Sequence, residues 1–161
     1  MPTPESLVTL AVFALANLAA ASSGAIFRPG DWYAALAKPP WTPPNWAFPV
    51  VWSILFLMNA VSGWLVWQTA GSAAIGALGL YVLSLVLNAS WSAVFFGLHR
   101  MVLGFVNVSL IWVSIVAVAL AFWPISPVAA ALQLPYLVWV TIAAALNLTV
   151  ARMNRNVTSS A

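Results

Sequence analysis

Side chains suited to acid–base or metal chemistry are scarce in this sequence: one histidine, His99, and two carboxylates, Glu5 and Asp31, with no cysteine among 161 residues. The two acids stand at opposite sides of the topology derived below, so one protomer assembles no triad, carboxylate pair or metal cluster. The lack of thiols excludes disulfides, thiolate catalysis and thiolate metal sites. No glycine-rich phosphate loop is present, which sets nucleotide-driven pumping aside. The chain offers π surface instead. The stretch KPPWTPPNWAFPVVW, residues 38–52, sets Trp41, Trp46 and Trp52 among five prolines, beside Lys38. Indole rings stack on flat apolar partners. The prolines restrict φ and remove backbone donors, giving a stiff connector with little entropy to lose on binding.

The elements that must position these rings follow from composition. Hydrophobic residues make up 64% of the chain and charged residues 4%, with a mean hydropathy of +1.02. Soluble domains carry about 25% charged residues, so this chain could not cover a water-facing globule. It reads as an integral membrane protein. The pI near 10 comes from five scattered cations with no basic stripe, and nucleic acid is not an expected partner.

A membrane span needs about 20 mostly apolar residues, and the sequence divides into five such runs, at about 6–27, 46–69, 73–96, 101–123 and 128–151. Residues 28–45 form a connector after the first. The first run lacks the basic start and small-residue cleavage site of a signal peptide and reads as a retained span. Helix is the expected state, because lipid offers the backbone no hydrogen-bond partners. The runs lack the polar/apolar alternation of a β-barrel. The expectation is a single all-α domain, residues 1–161, built as a bundle of five transmembrane helices with the connector capping a cavity.

Arg28, Lys38, Arg100, Arg152 and Arg155 all fall on one side of this topology. The positive-inside rule then places the connector and the C-terminus in the cytoplasm and the N-terminus outside. Trp32, Trp41, Trp46 and Trp123 lie near span ends, as an interfacial aromatic belt would place them.

Polar residues inside spans face the bundle interior. Tyr81, Ser84, Asn88, Trp91 or Ser92, and Phe95 recur at helical steps on the third run. Gln133, Tyr136, Trp139, Ala143 and Asn147 do so on the fifth, and Trp52, Phe56 and Asn59 on the second. Interhelical hydrogen bonding is one reading of such rows, weighed evenly with a cavity for Asn59 and Asn107. Asn88 and Asn147 share their faces with aromatics and border a cavity. Ala16, Ala20 and Gly24 form a small-residue row suited to close packing within the bundle or in a dimer.

The stretches WYAALAKPPWTPPNWAFPVVW, LNASWSAVFFGLHRM and LPYLVWVTIAAALN resemble, in order and spacing, the TspO/MBR family of tryptophan-rich sensory and translocator proteins. The likeness runs from the first span to Arg152. It implies a five-helix bundle, usually a homodimer in the lipid bilayer, whose first connector folds over a cavity in the cytosolic half. It implies porphyrin ligands such as protoporphyrin IX, with no obligatory cofactor, no metal and no catalytic residue. Carried over by position, Trp32, Tyr33, Trp41, Trp46, Phe48, Trp52, Asn88, Trp91, Trp139, Ala143 and Asn147 line or close the site. Arg28, Lys38, His99 and Arg100 gather on the same side, where they would attract the carboxylates of a ligand. Two departures stand out. The segment LNLTVARMN lacks the tyrosine of the sterol-recognition segment of animal members, which argues against cholesterol. Pro40 stands where some bacterial members carry a second Trp.

The leading expectation is a receptor or transporter for tetrapyrroles that senses tetrapyrrole metabolism or stress. The alternatives are light- and oxygen-dependent degradation of porphyrin, with tryptophans as redox partners, and a ligand-responsive scaffold for other membrane proteins. With no charged residue inside the spans there is no ion-coupling site, so uphill transport is not expected.

Overall fold

The computed structural model describes residues 3–155. Helix α1, Pro4–Ile26, starts at Thr3, whose hydroxyl accepts from the Ser6 N–H at 3.2 Å. Pro4 stands in the first turn, where a missing N–H matters least, and Glu5 complements the positive end of the helix. These caps extend the helix a turn's fraction beyond the run expected from hydropathy.

The connector is not wholly irregular. It contains one short helix, α2, Asp31–Ala35, before an extended Leu36 that packs against Met101, Leu146, Val150 and Ala151. Two turns follow, closed by Thr42 N–H to the Pro39 carbonyl at 3.0 Å and Ala47 N–H to that of Pro44 at 2.9 Å. Helix α3, Ala47–Ala70, then begins with Pro49 in its first turn, where an N–H would have had no intrahelical partner.

The apolar run Ala47–Gly97 is 51 residues long, too long for one crossing. Gly71, at φ +53°, ends α3, and a 3₁₀ turn Gly71–Ala74 leads into helix α4, Ile75–Ser92. The reversal is demonstrated by Tyr81, whose hydroxyl donates to the Asn59 carbonyl at 3.2 Å. Along a straight helix those 22 positions would span about 33 Å. Helix α4 continues into a π turn, Ala93–Gly97, which ends at His99 in the left-handed region, φ +54°. Gly97 gives the ring of Phe27 room, because a Cβ there would lie 2.8 Å from it and displace the ring.

Helix α5 spans Met101–Phe122. The last run divides into α6, Pro127–Ala131, and α7, Gln133–Met153. Pro135 explains the division, since it has no N–H to give to the Ala131 carbonyl one turn earlier.

The five long helices close a ring in which α3 packs on α1, α1 on α4, α4 on α5, α5 on α7 and α7 on α3. Their outer faces carry exposed apolar side chains, among them Leu7, Val12, Leu83, Val113 and Val138, a surface that lipid and not water would cover. The chain is a multi-pass, all-α membrane protein; among the described residues there is no strand.

Candidate functional site

One half of the bundle is sealed by polar contacts. Asn17 on α1 donates through its amide to the Tyr81 hydroxyl and accepts from the Asn59 amide at 2.9 Å. Gln133 donates to Asn59 Oδ1 at 2.9 Å and to Ser62 Oγ at 2.8 Å, and Ser62 donates to the Ala129 carbonyl at 2.8 Å. All five side chains are buried. In an apolar interior such groups must pair with one another, so the network ties four walls of the ring together. Trp64 Nε1 to the Ser6 carbonyl and Gln68 Nε2 to Thr9 Oγ1 continue the α1–α3 contact towards that end.

Beyond Asn17 and Asn59 the ring opens into a cavity of about 810 Å³ that reaches the connector. Its walls are mostly aromatic and aliphatic: Phe48, Trp52 and Phe56 from α3, Trp91 and Phe95 from α4 and its π turn, Val140, Ala143 and Val150 from α7. Trp91 stacks on Phe95 with centroids 5.2 Å apart and planes 13° apart. Trp52 stacks on Phe56 and meets Tyr136 edge-on. The exposed Leu18 of α1 and Leu57 of α3 also line it, so the cavity opens between these two helices on the lipid-facing side. Arg28, Tyr33 and Asn45 stand at the connector end. Arg28 Nε donates to the Ala25 carbonyl at 2.8 Å, which holds its guanidinium at the lip.

Six polar side chains reach the cavity from within the spans; the hydroxyls of two of them, Ser23 and Ser53, donate to carbonyls of their own helices. Asn17 and Asn88 are engaged, Asn88 donating to the Tyr136 hydroxyl at 2.6 Å. Ser92 is buried beside Gly24 of α1. Asn147 differs from these. It is 3% exposed, and neither its Oδ1 nor its Nδ2 has a hydrogen-bond partner among the described residues. The indole N–H of Trp91 is likewise buried and unpartnered.

The structure brings Tyr33, Phe48, Trp52, Asn88, Trp91, Ala143, Asn147 and Arg28 to the cavity and sets the other expected residues elsewhere. Trp32 stacks on His99 at 4.3 Å between ring centroids and meets Phe95 edge-on, so both act in seating the connector. Trp41 is 48% exposed and Trp46, at the start of α3, is 69% exposed. Trp139 lies on the outer side of α7 in a separate groove with Val51, Leu55 and Pro135, touching Phe48 edge-on. The helix turns about 100° per residue, so Val140, one position on, takes the inward place. Lys38 is occupied locally: its ammonium donates to the carbonyls of Ala34 and Leu36 and sits 4.6 Å from the Tyr33 ring centroid. Burial raises the Tyr33 phenol above its usual range. Arg100 is exposed and starts α5. Asn59 belongs to the sealing network, and Asn107 donates to Ser90 between α4 and α5.

Sequence reasoning missed Phe95, Asn45 and Asn17 as cavity residues. Phe95 was on the right face by spacing; the other two carried no signal apart from their polarity.

A family profile described as the TspO/MBR family matches residues 8–153. The chain is 40% identical over 151 residues to Protein CrtK of Rhodobacter capsulatus, covering 92% of this chain and 94% of that one. It is 38% identical over 138 residues to the tryptophan-rich sensory protein of Cereibacter sphaeroides, covering 86% of each. It is also 38% identical over 126 residues to the translocator protein of Homo sapiens, covering 76% of this chain and 75% of that one.

Proposed function

The chain belongs to the TspO/MBR family, and on that premise we propose that it is a membrane receptor for porphyrins of the protoporphyrin IX type and related flat aromatic ligands. Family membership supports a receptor-like role in the membrane; the ligand is our reading. The observation that carries it is the stacked pair Trp91–Phe95 on the wall of a cavity whose lip holds Arg28. A porphyrin presents a wide π face to such rings and two carboxylates to a guanidinium. Most of the remaining lining is hydrocarbon, as in small-molecule sites of this size.

In this reading the sealed end of the ring favours binding and signalling over passage. Ligand enters and leaves by the connector end or between α1 and α3, because the Asn17–Asn59–Gln133 network closes the other way. The connector and the cationic end face the cytoplasm, and two copies pair in the bilayer.

Titration of protoporphyrin IX into the detergent-purified chain, followed by tryptophan fluorescence, tests this. Saturable quenching in the wild type, weakened in Trp91→Ala while the variant keeps its helicity, is expected. Linear quenching that Trp91→Ala leaves unchanged would reject the reading.

A further inference from the structure

The end of the bundle that carries the connector is cationic. Arg28, Lys38, Arg100, Arg152 and Arg155 lie there against a single carboxylate, Asp31, while Glu5 stands in the first turn of α1 at the other end. Arg28 and Lys38 donate to nearby carbonyls. Arg100 and Arg152 are exposed, and among the described residues neither forms an ion pair. Arg152, in the last turn of α7, complements the dipole of its helix, whereas Arg100, at the start of α5, opposes its own. Nothing within the chain offsets that charge.

These two arginines stand over one seam. Met101 and Ala151, their neighbours in sequence, are buried in the same cluster, so α5 begins and α7 ends at one level. About three turns from Arg152, on the same face of α7, Thr141 accepts from the indole N–H of Trp112 on α5 at 2.9 Å, in an exposed position. The seam between α5 and α7 therefore faces outward over about 16 Å, from Met101 to Trp112. Exposed Val102, Val106 and Val113 border it on α5, and exposed Ala145 and Val138 on α7.

We infer that this seam seats an anionic phospholipid from the leaflet that the connector faces, with its phosphate between Arg100 and Arg152 and its acyl chains on the apolar rows beneath. A guanidinium fork pairs with phosphate oxygens, and hydrocarbon covers the rows. Charge selects the lipid. A zwitterionic headgroup carries its own ammonium and leaves the two arginines uncompensated; a net negative one neutralises them. The inference is independent of what the central cavity holds.

The full chain in phosphatidylcholine vesicles, probed by electron paramagnetic resonance with chain-labelled phosphatidylglycerol or phosphatidylcholine, tests it. Phosphatidylglycerol should associate about fivefold more strongly, the contribution of about one interfacial cation. Arg100→Gln combined with Arg152→Gln should bring the ratio of the two lipids to about one. Arg28→Gln removes the same kind of charge across the ring, on α1, and should leave the preference standing. Salt near ~1 M, where screening acts within ~3 Å, should lower the wild-type ratio, a measurement that needs no variant to insert and fold.

Equal association of both lipids with the wild type, a preference indifferent to salt, or one that the paired substitution leaves intact would overturn the inference. A preference that falls as far in Arg28→Gln would also overturn it, assigning the effect to the charge of that whole end.

Discussion

Asn154, at the end of α7, clamps Ala37 from both sides: the Ala37 N–H donates to Asn154 Oδ1 at 3.0 Å, and Asn154 Nδ2 donates to the Ala37 carbonyl at 2.9 Å. The residues are 117 positions apart, and Nδ2 also holds the Val150 carbonyl at 2.8 Å. Residues 38–46, which follow the clamp, contain four prolines and end in the exposed Trp46. The clamp thus fixes the place from which a stiff strap leads to Asn45 at the connector end of the cavity.

Asn154→Ala should free that strap. Two hydrogen bonds of roughly 0.5–1.5 kcal/mol each are removed, so protoporphyrin should dissociate about fivefold faster or more. The Ala37 amide should also exchange its hydrogen faster. Stopped-flow release and hydrogen exchange read the two effects; an unchanged off-rate with rapid exchange at Ala37 would show that the strap does not govern release.

The tryptophans should separate into two groups. Trp52→Ala and Trp91→Ala remove cavity walls and should weaken porphyrin binding about tenfold or more, as for buried aromatic anchors elsewhere. Trp41→Ala and Trp46→Ala remove exposed rings and should leave the Kd within about threefold. Parallel quenching titrations decide it. An equal loss in all four would mean the connector closes further over the ligand than this structure has it.

Asn59→Leu breaks the sealing network at its centre. It removes one of the two acceptors for Gln133 and the donor to Asn17, leaving the buried Asn17 Oδ1 unpaired at about 1–3 kcal/mol. Thermal unfolding in detergent should fall by several degrees, with a smaller loss in Asn107→Leu, whose partner Ser90 is only partly buried.

Arg28→Gln tests charge at the lip. It should weaken protoporphyrin IX several-fold and have little effect on its dimethyl ester. The difference between acid and ester should shrink as salt is raised, because this site is exposed and screened. An equal effect on acid and ester would assign Arg28 a packing role.

Much of this protein is legible without coordinates. Five apolar runs and seven charged residues require a membrane, and a membrane requires helices that satisfy their own backbones. The spacing of Tyr81, Ser84, Asn88 and Phe95 marks an inward face, and helical periodicity is enough to find it. Periodicity has a tolerance of one residue, however. Trp139 and Val140 both continue the row Gln133–Tyr136, and only packing against α3 turns the indole outward and the valine inward. Proline-rich stiffness in residues 38–46 is equally plain in the sequence. Where that segment lies depends on Asn154, more than a hundred residues away, and on a stack between Trp32 and His99. Chemistry per residue could not distinguish Asn59, Asn88 and Asn147 as seal, wall and unpartnered buried amide. Each is an asparagine on an inner face, and its role is set by whether another helix brings a partner within hydrogen-bond reach. Composition and period thus determined the solvent, the elements and their inner faces; long-range contacts decided which side chains satisfy one another and which line the cavity.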